Sequence, residues 1–212
     1  MPTGPSSSRN ISSSDAATNP ESEGLLVARA QRGDRQAFES LVAPCAERLY
    51  AVAFRLLGNR DDAVELTEEA FLRAFGSLRR FRRGSHLYTW IYRILLNLCY
   101  RRLTTRRREL PESSFPAPSD EEGSTFETHL VDPSSSPREE ASRRETVSWV
   151  RQGLARLKPA DYEILILREF EGLSYEELSR QLKVPRGTVM SRLHRARLAL
   201  AEHLHKCHRE YF

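Results

Sequence analysis

Cysteine is scarce in this chain, long apolar runs are missing, and no stretch alternates apolar and polar residues as a strand does. Each absence removes a class of protein. The three cysteines, Cys45, Cys99 and Cys207, are odd in number, far apart and include no CxxC pair, so neither a disulfide framework nor a zinc finger is supported. No apolar run approaches the roughly 18–20 residues that span a bilayer, and no membrane insertion is expected. The opening MPTGPSSSRNISSSDAATNPESEG has no apolar core like that of a secretion signal, which makes the cytoplasm the expected location. Also missing are a carboxylate cluster for metal ions, a glycine-rich phosphate loop and a nucleophile–base pairing. An enzyme, such as a recombinase, is therefore not expected, and no cofactor is required.

What is present is charge, and it is segregated. The net charge is only +4 over 212 residues, with 39% hydrophobic and 29% charged residues. Yet Arg79–Arg108 holds ten arginines and no acid, whereas Glu109–Glu145 holds ten acids against Arg138, Arg143 and Arg144. A basic block with aromatics inside it reads as a nucleic-acid surface.

The pattern along the chain is helical throughout. Residues 1–22, rich in Ser, Thr, Asn and Pro, are expected to form a disordered tail. Phe38, Leu41, Val42, Cys45, Leu49, Val52, Ala53 and Leu56 recur at three- and four-residue steps, with Pro44 expected to divide them into two helices and Gly58-Asn59 to end them. Asp62 with Glu65 reads as the cap of the next helix, whose inner stripe is Leu66, Ala70, Phe71, Ala74 and Leu78. A basic loop, Arg79–His86, leads to a helix from about Leu87 to Leu103. Five prolines lie in 104–137 among serines and acids, the composition of an extended linker. Helicity resumes near Arg138 with Val147, Val150, Leu154 and Leu157 on one face, and Pro159 opens a helix with Leu165, Ile166 and Phe170 as core. The expected fold is all-α. Two small helical domains, 23–105 and 138–206, are joined by a flexible acidic linker, 106–137, with a short tail at 207–212.

The sharpest local signal is LSYEELSRQLKVPRGTVMSRLHRARLAL. Ser174 and Glu177 form a capping box, Leu178 and Leu182 bury one side, and Lys183-Val184-Pro185 breaks the helix. In the second helix Val189, Leu193, Ala196 and Leu200 face inward, leaving Arg186, Gly187, Thr188, Ser191, Arg192 and Arg195 to the outside. This is a helix-turn-helix at 175–194, whose second helix fits the major groove, with arginines able to read guanine edges. A helical hairpin with a solvated basic face is the plainer alternative. The cap, the short break and the basic outer face together favour DNA.

In the first half, Leu87, Ile91, Ile94, Leu95 and Leu98 share one helical face, and Thr89, Arg93, Asn97 and Tyr100 lie opposite. Leu96 falls on the polar arc and does not fit it. Ahead of this helix, FRRGSHLYTW interleaves arginines with aromatics, as surfaces for single-stranded DNA do. Trp90 borders the apolar face and reads as core. Arg82, Arg83, Ser85, His86, Tyr88, Arg93 and Asn97 are the candidates for nucleic-acid contact. The tail HLHKCHRE carries His203, His205, Cys207 and His208, but no second ligand set completes a metal shell, so a frayed polar helix end is expected and no metal site. Cys45 and Cys99, on helices, read as packing residues.

Taken together, the two halves resemble the extracytoplasmic-function group of bacterial sigma factors, in the sigma-70 family. DDAVELTEEAFLRAFGSLRRFRRGSHLYTWIYRILLNLCYRRL is similar to that family's second conserved region, and LARLKPADYEILILREFEGLSYEELSRQLKVPRGTVMSRLHRARLAL to its fourth. The resemblance implies a subunit that binds core RNA polymerase and directs promoter recognition and opening. The helix Asp62–Phe75 would dock on the beta-prime clamp helices through Asp62, Glu65, Glu68, Glu69, Phe71 and Leu72, with the beta flap as a further contact. The loop and polar arc of the first half would capture the opened minus-ten element, and the helix-turn-helix would read the minus-thirty-five element. An anti-sigma factor is an expected partner. A conventional helix-turn-helix regulator stays open as the alternative, although it leaves the basic-aromatic helix without a use.

Overall fold

The computed structural model of the chain describes residues 20–81, 86–109 and 137–211. These form eight α-helices and one 3-10 turn, with no strand among the described residues, so the all-α expectation holds. The expected tail disorder before Pro20 and the expected extension of 110–136 lie outside the described residues. The chain divides into two compact units, residues 1–44 and 45–212.

The first unit contains α1 (Pro20–Gln31) and the opening turns of α2 (Arg35–Leu57). Gly33 turns the chain at φ +97°, where a side chain would be strained. Asp34 then accepts the Ala37 N–H at 3.0 Å and Arg29 Nε at 2.9 Å. The Ala37 N–H, followed by Arg29, pulls the Asp34 carboxyl below its ordinary range. The expected division at Pro44 does not occur, because α2 runs unbroken through it. Proline removes the single bond to the Ser40 carbonyl. A helix of 23 residues, with buried Phe38 and Val42 before the proline and buried Leu49, Val52, Ala53 and Leu56 after it, tolerates that loss.

In the second unit Gly58, at φ +68°, ends α2 with its N–H on the Phe54 carbonyl at 2.8 Å. The next cap is not the expected Asp62. Asn59 accepts the Asp62 N–H at 2.9 Å and starts α3 (Arg60–Ser77) three residues earlier. A 3-10 turn, Leu78–Arg80, follows, with Phe81 buried beyond it. The long helix α4 continues past the expected Leu103 to Glu109, beyond the expected domain end at 105. It packs on α3, with Leu66, Ala70 and Ala74 buried on one helix and Ile91, Leu95 and Leu98 on the other.

The remaining helices are α5 (Pro137–Leu154), α6 (Pro159–Glu169), α7 (Tyr175–Leu182) and α8 (Arg186–Tyr211). Pro159 opens α6 at its first turn, where a missing N–H has no helical partner to lose. Helix α8 packs against α5, α6 and α7. On α5 the buried face is wider than expected: Leu154 is buried, as is Leu157 just beyond the helix, Val147 and Val150 are half-buried, and Trp149, Ser148, Arg151 and Gln152 are buried as well. The reason is that α5 touches α4 as well as α8. Phe170 is half-buried, with the Arg55 guanidinium 6.0 Å from its ring centre.

Helix α4 thus packs against three helices, α3 of the first half and α5 and α6 of the second. That resolves the misfit at Leu96, which is 1% exposed. At about 100° per residue it lies between Tyr92 and Tyr100, on the arc that meets the second half of the unit.

Candidate nucleic-acid interface

The helix-turn-helix is built by local chemistry that the sequence spells out. Glu177 N–H donates to Ser174 Oγ at 3.2 Å, and Ser174 N–H donates to Glu177 Oε2 at 2.7 Å. That reciprocal box fixes the start of α7. The Ser174 backbone N–H, with its hydroxyl, holds the Glu177 carboxyl below its ordinary value. Helix α7 ends at Lys183 in a left-handed conformation, φ +53°, an uncommon choice for a residue other than glycine, asparagine or aspartate. Ser179 Oγ donates to the Val184 carbonyl at 2.7 Å, holding the turn, and Pro185 accepts the N–H groups of Thr188 and Val189 through its carbonyl. Leu178, Val189, Leu193 and Ala196 are buried, while Leu182 and Leu200 are half-buried.

Of the six residues expected on the outer face, Arg186, Gly187, Ser191 and Arg195 are exposed, and Thr188 and Arg192 are half-buried. Gly187 has open space around an added Cβ and no positive φ, so neither packing nor backbone geometry demands glycine there. Arg186 pairs with Glu176 at 2.8 Å, both side chains well exposed, and surface pairs of this kind are readily exchanged for a phosphate. Arg195 is different. It grips buried Asp161 of α6 with both Nε and Nη2, at 2.8 and 2.6 Å, so much of its hydrogen-bonding capacity is spent inside the protein. Sequence reading also omitted Met190, a 53% exposed apolar side chain on the same helix.

In the first half, Arg82, Arg83 and Ser85 lie outside the described residues. His86 and Asn97 are exposed, while Tyr88 and Arg93 are half-buried. Phe81 and Trp90 pack ring against ring at 5.1 Å, but Trp90, expected in the core, is only half-buried. The basic block is not all surface. Arg102 and Arg106 both pair with the buried carboxylate of Asp62, and Arg102 also reaches Glu65 at 2.8 Å.

Those pairs reorder the acidic face of α3. Asp62 is buried and doubly engaged, Glu65 is tied to Arg102, and Glu69 is tied to Arg73 at 2.5 Å. Phe71 is half-buried. Glu68 is exposed, and it lies in one row with Val64 (41% exposed) and Leu72 (70% exposed), spaced four residues apart. This row has the apolar–acidic character of a protein-docking face.

A seam absent from the sequence reading joins α4 to the second half. Arg93 Nε donates to Glu163 at 2.6 Å and its Nη1 to the Gln181 carbonyl at 3.3 Å. Tyr88 donates to Glu171 at 3.1 Å, and Arg48 pairs with the same carboxylate at 2.6 Å. Tyr100 donates to the Leu157 carbonyl at 2.8 Å and packs its ring on Tyr162 at 5.1 Å. Burial raises the Glu171 carboxyl above its ordinary value, outweighing Arg48 and the Tyr88 and Tyr92 hydroxyls, which lower it. Arg151 of α5 reaches the last turn of α2, its Nη2 3.2 Å from the Arg55 carbonyl. The consecutive buried run Ile164–Leu167 goes all the way round the middle turn of α6, and in the sequence it was a signal that this turn is covered on every side.

At the C-terminus, Cys207 Sγ lies 3.6 Å from His203 Nε2, one turn away. Among the described residues no group of three potential ligands could hold a metal ion, and no helix is long and apolar enough to cross a membrane.

Comparison with known proteins bears on both halves. The model of Sigma-70 region 2 matches residues 41–109, and that of Sigma-70, region 4 matches residues 148–200. The chain is 37% identical over 191 residues to an RNA polymerase sigma-H factor of Pseudomonas aeruginosa, covering 90% of this chain and 97% of that one. It is also 37% identical over 173 residues to an ECF RNA polymerase sigma-E factor of Haemophilus influenzae, covering 81% and 89%. Among solved structures it resembles CnrH, determined in complex with the cytosolic domain of CnrY, at 23% identity and a TM-score of 0.52, covering 87% of this chain and 98% of CnrH. That last likeness concerns the fold alone. With both conserved regions in order and relatives aligned almost end to end, the chain belongs to the extracytoplasmic-function group of the sigma-70 family of RNA polymerase sigma factors.

Proposed function

We propose that this protein is a sigma factor that binds core RNA polymerase through its first half and directs it to promoters whose two elements are read by separate surfaces. The observation that carries the reading is the exposed recognition face of α8, with Arg186, Gly187 and Ser191 open to solvent behind a complete capping box. A helix presented this way can enter the major groove. Residues 138–206 are assigned to the minus-thirty-five element on the duplex, and 23–105 to polymerase docking and the opened minus-ten strand. In the first half, Arg82, Arg83, Ser85, His86, Tyr88, Arg93 and Asn97 are assigned to the strand. The row Val64, Glu68 and Leu72 is assigned to the clamp helices of beta-prime, and the second half to the beta flap as a further polymerase contact. Neither reader is large, and phosphate contacts alone are salt-sensitive and unspecific. Mounting both on polymerase multiplies two weak grips through their effective concentration. The protein acts in the cytoplasm without catalysis or cofactor of its own, and an anti-sigma protein is its expected inhibitor.

Transcription in vitro with core polymerase and genomic fragments tests this. Starts at particular promoters that require the protein support it. Failure to associate with core polymerase, or unaltered start-site choice, overturns it.

A further inference from the structure

The outer face of α8 carries one side chain that hydrogen bonding and charge do not explain. Met190 is exposed there, one turn after Arg186 and one turn before His194, both exposed, with Gly187 and Ser191 open beside it. A single exposed apolar side chain is ordinary on a protein surface, so its place on the helix has to supply the meaning. Met190 is the fifth residue of α8, and the opening residues of a recognition helix are the ones that meet base edges. Leu198 is exposed as well, but it stands two turns further on, about 12 Å along the axis, past the residues of the helix-turn-helix.

The surface in front of Met190 is open. A helical side chain leans over the turn that precedes its own Cα, here the turn of Arg186 and Gly187. Nothing lies within 4 Å of where a Gly187 side chain would begin, and its φ is not one that requires glycine. The bare backbone at that point lets a base pair come up against the helix beside the methionine. Arg186, on the same row, directs its guanidinium to Glu176 of α7 at 2.8 Å.

What a methionine can recognise in a major groove is narrow. Its thioether has no proton to donate and is a weak acceptor. Of the groups by which base pairs differ in that groove, the one apolar group is the C5 methyl of thymine; the rest are donors and acceptors. Against that methyl the flexible, polarizable side chain gains an apolar contact. Against any other base edge it strips water from polar groups and returns no hydrogen bond.

We propose that Met190 is a specificity-determining residue of the α8 reader, selecting a thymine of the minus-thirty-five element by apolar contact with its C5 methyl group. The inference rests on the sigma-factor reading above and adds to it a feature of the DNA sequence read: an A·T pair at one fixed position, with the thymine on one particular strand.

A promoter recovered by transcription of genomic fragments supplies the probe. It is rebuilt as a synthetic duplex in which each thymine of the minus-thirty-five element, on either strand, is replaced in turn by deoxyuridine. That replacement keeps every hydrogen-bonding group and deletes only the methyl. Holoenzyme made from core polymerase and the full-length parent, Met190→Gln or Met190→Leu is titrated against each duplex. One replacement should weaken binding by the parent about fourfold, the worth of one buried methyl-sized group, and the others should have little effect. Met190→Gln should be indifferent to that same replacement, and Met190→Leu, apolar again, should keep the sensitivity. Changing that pair to C·G should weaken the parent, and 5-methylcytosine in place of the cytosine should recover about fourfold. Thermal unfolding at the parent's temperature shows that the variants are folded, as substitution at an exposed position allows. A parent indifferent to every deoxyuridine, a Met190→Gln protein with the parent's full sensitivity, or promoters sharing no A·T pair in that element overturns the contact. If promoter-dependent transcription is present while the methyl effect is absent, only the Met190 contact fails. If no promoter depends on the protein, the sigma-factor reading fails and the contact with it.

Discussion

Burial decides how the cysteines behave. Cys99 has no exposed surface, and burial pushes its thiol up to about 12; Cys45, half-buried, is pushed up to about 11 for the same reason. At pH 8 the reactive thiolate of Cys99 is therefore on the order of one part in ten thousand. Alkylation of the native protein by iodoacetamide, followed by peptide mass spectrometry, should leave Cys99 unmodified for hours and label it within minutes in guanidinium chloride. Prompt native-state labelling of Cys99 would mean that α4 is not packed as described. Glu177 gives the opposite lesson, of a charge held in place. Its carboxyl is lowered by the Ser174 N–H, so its contribution is complete above the ordinary value of 4.5 and fades as pH falls through the lower folded value. The unfolding temperature of Glu177→Ala should lie below that of the parent at pH 7, and the two should converge near pH 3. Ser174→Ala should cost about 1 kcal/mol at neutral pH, as the loss of a helix cap does, and chemical denaturation measures it.

At the level of helices, legibility tracked how local the cause was. The turn at Lys183–Pro185 and the cap at Ser174 were readable because their causes lie within a few residues. The cap at Asn59 was missed because two good capping residues stand three apart, and the choice was settled from α4. Asp62 has its carboxylate drawn to Arg102 and Arg106, 40 and 44 positions along the chain, and so cannot serve as the cap. Pro44 misled for the converse reason, that a strong local signal was overridden by a continuous apolar stripe. The Asp62 pairing also separates stability from docking on α3. Asp62→Ala strands two partly buried guanidinium groups and should lower unfolding stability by about 2 kcal/mol. Leu72→Ala, at a side chain 70% exposed, should leave stability within about 0.5 kcal/mol while weakening retention by core polymerase at least fivefold. Thermal unfolding and pull-down on both variants check this pair. A Leu72→Ala protein that binds polymerase normally would remove the Val64–Glu68–Leu72 row from the docking face.

Across the whole molecule, the least legible feature was the seam between the halves, because nothing in a linear pattern names the partner of Leu96 or of the apolar run in α6. Only the misfit at Leu96 and the unbroken apolar run itself were visible. The seam makes salt act twice on this protein. Its ion pairs are partly open to solvent, with Arg48 and Arg93 side chains 59% and 39% exposed, and the Debye length falls below about 5 Å by 0.5 M salt. Raising salt should therefore loosen the seam and enlarge the free chain, even as it weakens every phosphate contact. Binding of single-stranded DNA by the parent protein then combines two opposed dependences. Releasing counterions makes affinity fall with salt by about 0.7 in log–log slope per phosphate neutralised, whereas breaking Arg93–Glu163 and Arg48–Glu171 becomes easier. A Glu163→Gln/Glu171→Gln variant has no such ion pairs to break and leaves the guanidinium groups of Arg93 and Arg48 without their carboxylate partners. Its slope on a mixed-sequence single-stranded 20-mer, measured by fluorescence anisotropy from about 0.05 to 0.5 M salt, should be steeper than the parent's by about 1. Identical slopes would mean that neither arginine reaches the strand once its carboxylate partner is gone.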